Sequence, residues 1–161
     1  MREELEARIG RLLRSRELTL ATAESCTGGL VADRITNIPG SSEYFAGGVV
    51  AYSNDVKVAI LGVSADTLFA HGAVSRETVL EMARGARRIL NADVAVSISG
   101  IAGPGGGLPN KPVGTTWIGL GTSDGVWTHS RQFEGDRMEN KAASAEVALQ
   151  ILADYLERNQ S

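Results

Sequence analysis

The sequence is poor in the residues that would make a disulfide or a transition-metal site. It contains one cysteine, Cys26, and two histidines, His71 and His129, which lie far apart along the chain. One cysteine cannot form an internal disulfide, so we expect a reducing compartment. No Cys/His pair has the spacing of metal ligands, so we expect no metal site, although a carboxylate site stays open from the sequence alone.

Long apolar runs and a basic excess are also missing. No apolar run reaches membrane-spanning length, and residues 1–17 are too charged for a signal peptide. The formal net charge is −3, which argues against nucleic acid as the main ligand. We therefore expect a cytoplasmic protein that contacts neither membranes nor nucleic acid.

The composition and patterning that remain are those of an α/β protein. Hydrophobic residues make up 43% and charged residues 22% of 161 positions, which is typical of a globular chain. Segments with strand and helix character follow in the order α-β-α-β-α-α-β-β-β-α. This alternation predicts a mostly parallel sheet covered on both faces, and a hairpin near residues 115–133 adds an antiparallel strand. With no internal repeat or linker, we expect one domain over residues 1–161.

Three segments make specific structural predictions. Residues 45–52 form a continuous apolar run and predict a buried strand, in which Gly47 and Gly48 indicate a bulge or a close backbone approach. Residues 93–99 predict a central strand. The glycine-rich segment 100–114 follows, and a loop of this length inside a compact domain is usually functional or mobile.

Two glycine turns follow predicted strands and are candidates for ligand binding. One runs from Ser25 to Gly29, after a strand predicted at residues 18–22, and the other runs from Ser99 to Pro104. Ligands of open parallel sheets bind beyond the carboxyl ends of the strands, so both turns indicate one crevice. Backbone N–H groups at a helix start favour phosphate, but Thr27 could equally serve only to cap the helix.

Two residues beside these turns allow a functional and a structural interpretation. Cys26 is either a thiolate nucleophile near a helix start or, as is commoner, a small buried thiol. Arg137 follows Asp136 where the last helix begins. Its guanidinium could bind an anion, while a single exposed arginine is more often a solvated charge.

The stretch from Ser42 to Lys57 carries the candidate chemistry. A serine hydroxyl is a weak nucleophile until a base takes its proton. Lys57 follows an apolar strand, and partial burial would favour its neutral, proton-accepting form. Tyr52 could relay the proton or donate to a developing oxyanion. From spacing alone, structural roles for these three residues are the commoner outcome.

A series of short motifs, in one order along nearly the whole chain, resembles the CinA C-terminal domain family, whose stand-alone members are of the PncC type. Several ordered motifs are more specific than any one glycine turn. Many members carry an additional N-terminal domain, which we do not expect here. The motifs are Ala23 to Gly29, Pro39 to Ser42, Tyr52 to Asn54, His71 to Ser75, Gly100 to Pro104, Lys111 to Thr115 and Gly135 to Arg137.

The resemblance implies a fold and an activity. The fold is a three-layer α/β/α sandwich with a mixed five-stranded sheet of order 2-1-3-4-5, in which strand 4 is antiparallel. The activity is nicotinamide mononucleotide deamidation, an amidohydrolase reaction that yields nicotinate mononucleotide and ammonia for NAD salvage. The implied roles are Ser42 as nucleophile, Lys57 as base and Tyr52 as an assisting group. We expect no metal and no other cofactor.

Substrate binding is expected from both glycine turns and Arg137. Ser99 stands where the family commonly has threonine, which keeps the hydroxyl. Two alternatives stay open: a non-catalytic module associated with competence or DNA damage, and an amidohydrolase for a different amide. The expected substrate-binding residues are Ser25, Thr27, Gly28, Gly29, Ser99, Gly100, Ala102, Gly103 and Arg137.

The predicted strand at residues 45–52 conflicts with a shared role for Ser42 and Tyr52. Ten residues of extended chain would separate them by about 30 Å. The chain bends near Gly47, or the strand is shorter, or Ser42 meets Tyr52 and Lys57 of another subunit. We favour the third arrangement and therefore expect a homo-oligomer.

Overall fold

A five-stranded sheet lies at the centre of the computed structural model, which describes residues 1–158. The elements are α1 (Leu5–Ser15), β1 (Leu20–Glu24), α2 (Leu30–Thr36), a short 3-10 helix (Ser41–Glu43), β2 (Phe45–Val50), α3 (Asn54–Ala59), α4 (Ala65–His71), α5 (Arg76–Leu90), β3 (Val94–Gly100), β4 (Thr115–Thr122), β5 (Gly125–Gln132) and α6 (Arg137–Arg158).

The strand order of this sheet is β2-β1-β3-β4-β5. Strand β1 pairs in parallel with β2 on one side and with β3 on the other. Strand β4 runs antiparallel to both β3 and β5. The predicted strand order and the antiparallel fourth strand are confirmed.

Helices cover both faces of the sheet. On one face, α1, α2 and α6 share an apolar core with Leu20 of β1 and Ile98 of β3. On the other face, Val79 and Met82 of α5 share a second core with Ala21 of β1. The fold is therefore the predicted three-layer sandwich.

The carboxyl ends of β1 and β3 meet at one edge of the sheet because the two strands are neighbours and run parallel. The N–H of Ser25 donates to the Ile98 carbonyl at 2.9 Å, which continues the pairing into the turn after β1. Strand β1 begins two residues later than predicted because Leu18 still closes α1, through an N–H bond of 2.9 Å to the Leu13 carbonyl. The turn and the loop after β3 thus lie side by side.

The prediction that residues 45–52 form a buried strand is wrong, because β2 is an edge strand with β1 as its single neighbour in the sheet. Its side chains are half-buried or exposed. The predicted bulge is present, since the register with β1 skips Ala46. A Cβ on Gly48 would overlap the Thr22 hydroxyl oxygen, so the close approach of the two strands requires glycine there.

Within residues 1–158, no helix is both long and apolar enough to cross a membrane. The same part of the chain contains no cluster of three or more His, Cys, Asp or Glu side chains placed to share a metal ion. The predicted single domain also includes residues 159–161, which lie outside the described residues.

Candidate active site

A cleft of about 280 Å³ opens at the carboxyl ends of β1 and β3. Four parts of the chain form its walls: the turn after β1, the segment from β2 into α3, residues 73–74 before α5, and the loop after β3 together with the start of α6. Both glycine turns singled out in the sequence therefore border one cleft.

A serine and a lysine are in hydrogen-bond contact in this cleft. The Nζ of Lys57 lies 3.1 Å from the Ser25 Oγ, 2.9 Å from the Ala51 carbonyl and 3.4 Å from the Tyr52 carbonyl. Lys57 lies on α3, which Ser53 caps by accepting the Val56 N–H at 3.2 Å. Three acceptors on one amine hold Nζ beside the serine hydroxyl.

Burial makes this lysine a potential base. Its side chain is 1% exposed, and burial lowers the pKa of Lys57 because the charged ammonium loses solvation. The Cys26 side chain acts to raise the pKa of Lys57 and so opposes the effect of burial. Lys57 forms no salt bridge with any carboxylate in residues 1–158. A neutral Lys57 can therefore accept the proton of Ser25.

Glu24 holds the turn that carries Ser25. Its buried carboxylate accepts the Thr27 hydroxyl at 2.5 Å and the N–H groups of Val31 and Ala32 at 2.9 and 3.0 Å. These amides belong to the first turn of α2, so an internal anion already occupies that helix start. The prediction that this helix start binds a phosphate is corrected accordingly.

Three predicted substrate-binding residues, Thr27, Gly28 and Gly29, do not line the cleft. Thr27 is buried and bonded to Glu24. Gly28 and Gly29 have φ angles of 62° and 104°, which glycine adopts at low cost. These residues shape the turn. Thr27 has a structural role through its bond to Glu24, but it does not cap α2, whose N-cap is Gly29 without a side-chain hydrogen bond.

Ser42 lies far from the cleft of its own chain. It is exposed in the 3-10 helix before β2, whereas Tyr52 and Lys57 follow the other end of that strand. Six strand residues rise about 20 Å, and β2 does not fold back. Ser42 therefore does not reach Lys57 of its own chain, which agrees with the arrangement favoured from the sequence, in which Ser42 meets Lys57 of another subunit. Contribution of Ser42 by a second chain stays a prediction.

Cys26 is not a thiolate in this environment. Burial, the largest cause, raises the pKa of its thiol to about 11, although its own backbone N–H and the cations Lys57 and Lys141 act to lower it. The thiol is therefore protonated at neutral pH. Of the two interpretations of Cys26, the structure favours the small buried thiol.

The loop after β3 supplies the facing wall of the cleft, including the predicted residues Ser99, Gly100, Ala102 and Gly103. Ser99 is 1% exposed, and its hydroxyl has no hydrogen-bond partner within the described part of the chain. A Cβ on Gly100 would lie 2.6 Å from the Thr116 hydroxyl oxygen. This wall of the cleft therefore presents the Ser99 hydroxyl, and Gly100 packs too tightly there to carry a side chain.

Arg137 joins two walls of the cleft. It donates to the Gly103 carbonyl at 2.7 Å and to the Tyr52 hydroxyl oxygen at 3.0 Å. Asp136 caps α6, because it accepts the Glu139 N–H at 2.9 Å while Glu139 accepts the Asp136 N–H at 3.0 Å. The Tyr52 hydroxyl accepts from Arg137, which leaves its own proton free to donate to a ligand.

Three residues of this region were given no role from the sequence. Asn140 donates to the carbonyls of Ala102 and Gly135 and accepts the Gly135 N–H, all at 3.0 Å. Glu24 holds the turn, and Asn54 lines the cleft. A charged residue ending an apolar strand could have indicated Glu24, whereas nothing in the local pattern distinguishes Asn140 from a surface asparagine.

The residues that line the cleft give it a positive charge. Lys57 and Arg137 are the two strongly basic side chains, and no Asp or Glu is present among the lining residues of the described structure. The Arg137 guanidinium attracts anions, and the lining described here has no carboxylate to oppose it. The cleft is therefore suited to an anionic ligand.

Comparison with known proteins places this site in a family. The model of the CinA C-terminal domain matches residues 2–156. A CinA-like protein of Thermotoga maritima is 53% identical over 154 residues, which are 96% of this chain and 38% of that protein. A putative competence-damage inducible protein of Halothermothrix orenii is 53% identical over 149 residues, 92% of this chain and 36% of that protein. The chain belongs to the CinA C-terminal domain family and spans less than two-fifths of the length of these relatives.

Solved structures share this fold. A CinA superfamily protein of Klebsiella pneumoniae superposes with a TM-score of 0.92 at 36% identity, over 96% of each chain. A competence/damage inducible protein of Agrobacterium tumefaciens gives a TM-score of 0.89 at 41% identity, over 98% of each chain. The expected family membership is confirmed by both kinds of comparison.

Proposed function

We propose that the cleft hydrolyses the carboxamide of nicotinamide mononucleotide to nicotinate mononucleotide and ammonia. The observation that carries this proposal is the 3.1 Å contact between Ser25 Oγ and the buried Nζ of Lys57. A serine with an adjacent amine base is one arrangement that hydrolyses amides without a metal. Membership of the CinA family and the positive cleft support an amidase with an anionic substrate.

In the first half of the reaction, neutral Lys57 takes the Ser25 proton as Oγ attacks the carboxamide carbon. The carbonyl electron pair moves onto oxygen and gives a tetrahedral intermediate. When this collapses, the C–N bond breaks, and the Lys57 ammonium returns its proton to the leaving nitrogen. The products of this half are ammonia and an ester on Ser25.

The developing oxyanion needs hydrogen-bond donors. The Tyr52 hydroxyl is one, because Arg137 donates to its oxygen and its proton stays available. The unpartnered hydroxyl of Ser99 is a second donor on the facing wall. Tyr52 thus keeps the assisting role expected of it, while Ser25 takes the nucleophilic role expected of Ser42.

In the second half, water attacks the ester and Lys57 accepts a proton from it. The Ser25 oxygen leaves as the C–O bond breaks and takes this proton back from Lys57. One water is consumed and one ammonia is released in each turnover, and the serine and lysine return to their starting states. The same base therefore serves both halves.

The experiment that tests this function measures ammonia release from nicotinamide mononucleotide by the purified protein in buffer containing EDTA. We expect steady release, with nicotinate mononucleotide as the second product. A folded protein that releases no ammonia from this substrate would contradict the proposal and favour the binding-module alternative. Faster release from an unrelated amide would instead favour an amidohydrolase for that substrate.

A further inference from the structure

The phosphate of a mononucleotide needs a binding site, and the helix start beside Ser25 does not provide one. The first-turn amides of α2 that would bind it are bonded to the Glu24 carboxylate. An anion placed there would also meet the negative charge of Glu24. The phosphate must therefore be bound by other groups near the cleft.

Lys141 is a cation next to that turn. A Cβ on Gly28 would lie 3.8 Å from its Nζ, so the ammonium group lies close to the exposed backbone of Gly28. Lys141 is half-buried and forms no salt bridge or hydrogen bond with residues 1–158. An ammonium without a partner at such a position is available for an anionic ligand.

Lys141 and Arg137 are four residues apart on α6 and so lie on the same side of the helix. Arg137 reaches into the cleft from the first turn of this helix. Lys141 lies one helical turn further along α6. Its positive charge acts to lower the pKa of Cys26, which lies in the turn after β1, and so does the charge of Lys57. The two α6 cations therefore lie on one side of that helix, with Arg137 lining the cleft and Lys141 next to the turn that carries Ser25 and Cys26.

We propose that Lys141, together with Arg137, binds the phosphate of the mononucleotide substrate. This inference rests on the proposed function, because it identifies the substrate as a phosphate monoester. Lys141 acts as a point charge on the phosphate, while Arg137 keeps its bonds to Gly103 and Tyr52 and uses its remaining N–H groups. Selection of the nucleotide over the nucleoside then depends on Lys141.

The test uses ribose 5-phosphate as a probe, because it carries the phosphate without the amide. Its affinity is measured by isothermal titration calorimetry at low ionic strength with the wild type, Lys141→Met and a control, Arg84→Gln. Arg84 is an exposed cation on α5 that does not line the cleft, so the control removes the same charge elsewhere. We expect Lys141→Met to bind about 10-fold to 100-fold more weakly, as for loss of a hydrogen bond to a charged group, and the control to bind as the wild type does.

A kinetic comparison supplies the second measurement. Lys141→Met should raise KM for nicotinamide mononucleotide by a similar factor, whereas Arg84→Gln should keep the wild-type KM. Unchanged probe affinity in Lys141→Met, equal weakening in Arg84→Gln, or no binding of the probe to the wild type would each overturn the inference.

The failure of this inference differs from the failure of the proposed function. If the wild type hydrolyses the nucleotide and Lys141→Met binds the probe normally, the function stands and the phosphate assignment falls. If the wild type releases no ammonia but loses probe binding in Lys141→Met, the phosphate assignment stands and the function falls.

Discussion

Lys57 is a buried amine whose environment favours the loss of its proton. Three oxygen atoms surround Nζ, but none belongs to a carboxylate that would balance its charge. Burial therefore lowers the pKa of Lys57 below the ordinary lysine value. The lowered pKa makes Lys57 useful as a base. A charged Lys57 would lower the stability of the fold, because its ammonium group is buried without a carboxylate partner in residues 1–158.

The first prediction concerns the pH dependence of the reaction. The base must be neutral, so kcat/KM should rise with pH and level off above the lowered pKa of Lys57, before the ordinary lysine range is reached. Lys57→Arg keeps the charge but cannot give up its proton, so it should lose about 100-fold or more of kcat. A pH–rate profile checks both. A rate that falls as pH rises through this range would contradict the role of Lys57.

The second prediction concerns stability. Because the pKa of Lys57 is lower in the folded than in the unfolded state, the unfolded chain binds more protons between the two values. The free energy of unfolding of the wild type should therefore rise with pH in that interval, relative to Lys57→Met. Urea unfolding of both proteins at several pH values measures the difference. A difference that does not change with pH would show that the lysine is not desolvated.

At the residue scale, the sequence and the family resemblance together predicted most of the residues that line the cleft. They did not predict that Ser25 contacts Lys57. Ser25, Tyr52, Lys57, Ser99 and Arg137 were all expected there and all line it. The nucleophilic role was expected of Ser42, whereas the serine in contact with Lys57 of the same chain is Ser25, and both serines precede that lysine. Which serine approaches the lysine depends on the end of β2 at which each one lies, and local spacing does not carry that information.

At the scale of elements, α6 holds the loop after β3 against the sheet. Arg137 and Asn140 donate to the carbonyls of Gly103 and Ala102, so one helical turn fixes the wall that faces Ser25. The loop was expected to be functional or mobile because of its glycines and length. Its anchoring depends on contacts between residues 34 and 38 positions apart, which no local pattern predicts.

The third prediction is that Asn140→Ala loosens this wall. The substitution removes three hydrogen bonds and leaves the Ala102 carbonyl without this donor, so it should lower the free energy of unfolding by about 1–3 kcal/mol. It should also raise KM. Asn37→Ala, at an exposed asparagine without a side-chain hydrogen bond, is the matched control. Equal urea midpoints for the two variants would contradict the anchoring role.

The fourth prediction compares two glycines of the same loop region. A Cβ on Gly100 would lie 2.6 Å from the Thr116 hydroxyl oxygen and 3.1 Å from the Cys26 sulfur, whereas a Cβ on Gly105 would meet no atom within 4 Å. Gly100→Ala should therefore cost about 1–3 kcal/mol through overpacking. Gly105→Ala should change stability by less than about 0.5 kcal/mol. Thermal unfolding measures both, and equal effects would contradict the packing described at Gly100.

At the scale of the whole molecule, the strand order decides where the site forms. Parallel pairing of β1 with β3 brings the two glycine turns to one edge, as the alternation of strands and helices predicted. The strand order implied by the family resemblance puts β2 at the sheet edge, but its own residues predicted a buried strand, because its run of alanine, glycine and valine lacks the polar alternation typical of a half-exposed strand. Composition alone cannot distinguish an edge strand of small residues from a buried one.

The fifth prediction is self-association, which we expected from the separation of Ser42 and Lys57. Large apolar side chains are exposed on and after α3 and on α4, with Val58 39%, Ile60 45% and Phe69 95% exposed. We predict a homo-oligomer by sedimentation equilibrium, and a weaker one for Phe69→Ser than for Ile89→Ser on α5. A wild-type protein that sediments as a monomer at assay concentrations would contradict this prediction.

The pairing of Ser25 with Lys57 is the centre of the account, and one comparison tests it most directly. Ammonia release from nicotinamide mononucleotide is measured for Ser25→Ala and Ser42→Ala, with folding checked by circular dichroism. We predict that Ser25→Ala loses about 100-fold or more of kcat, since it removes the nucleophile, and that Ser42→Ala keeps the wild-type rate. Full activity in Ser25→Ala together with loss in Ser42→Ala would contradict the account and assign the nucleophile to Ser42 of a second chain.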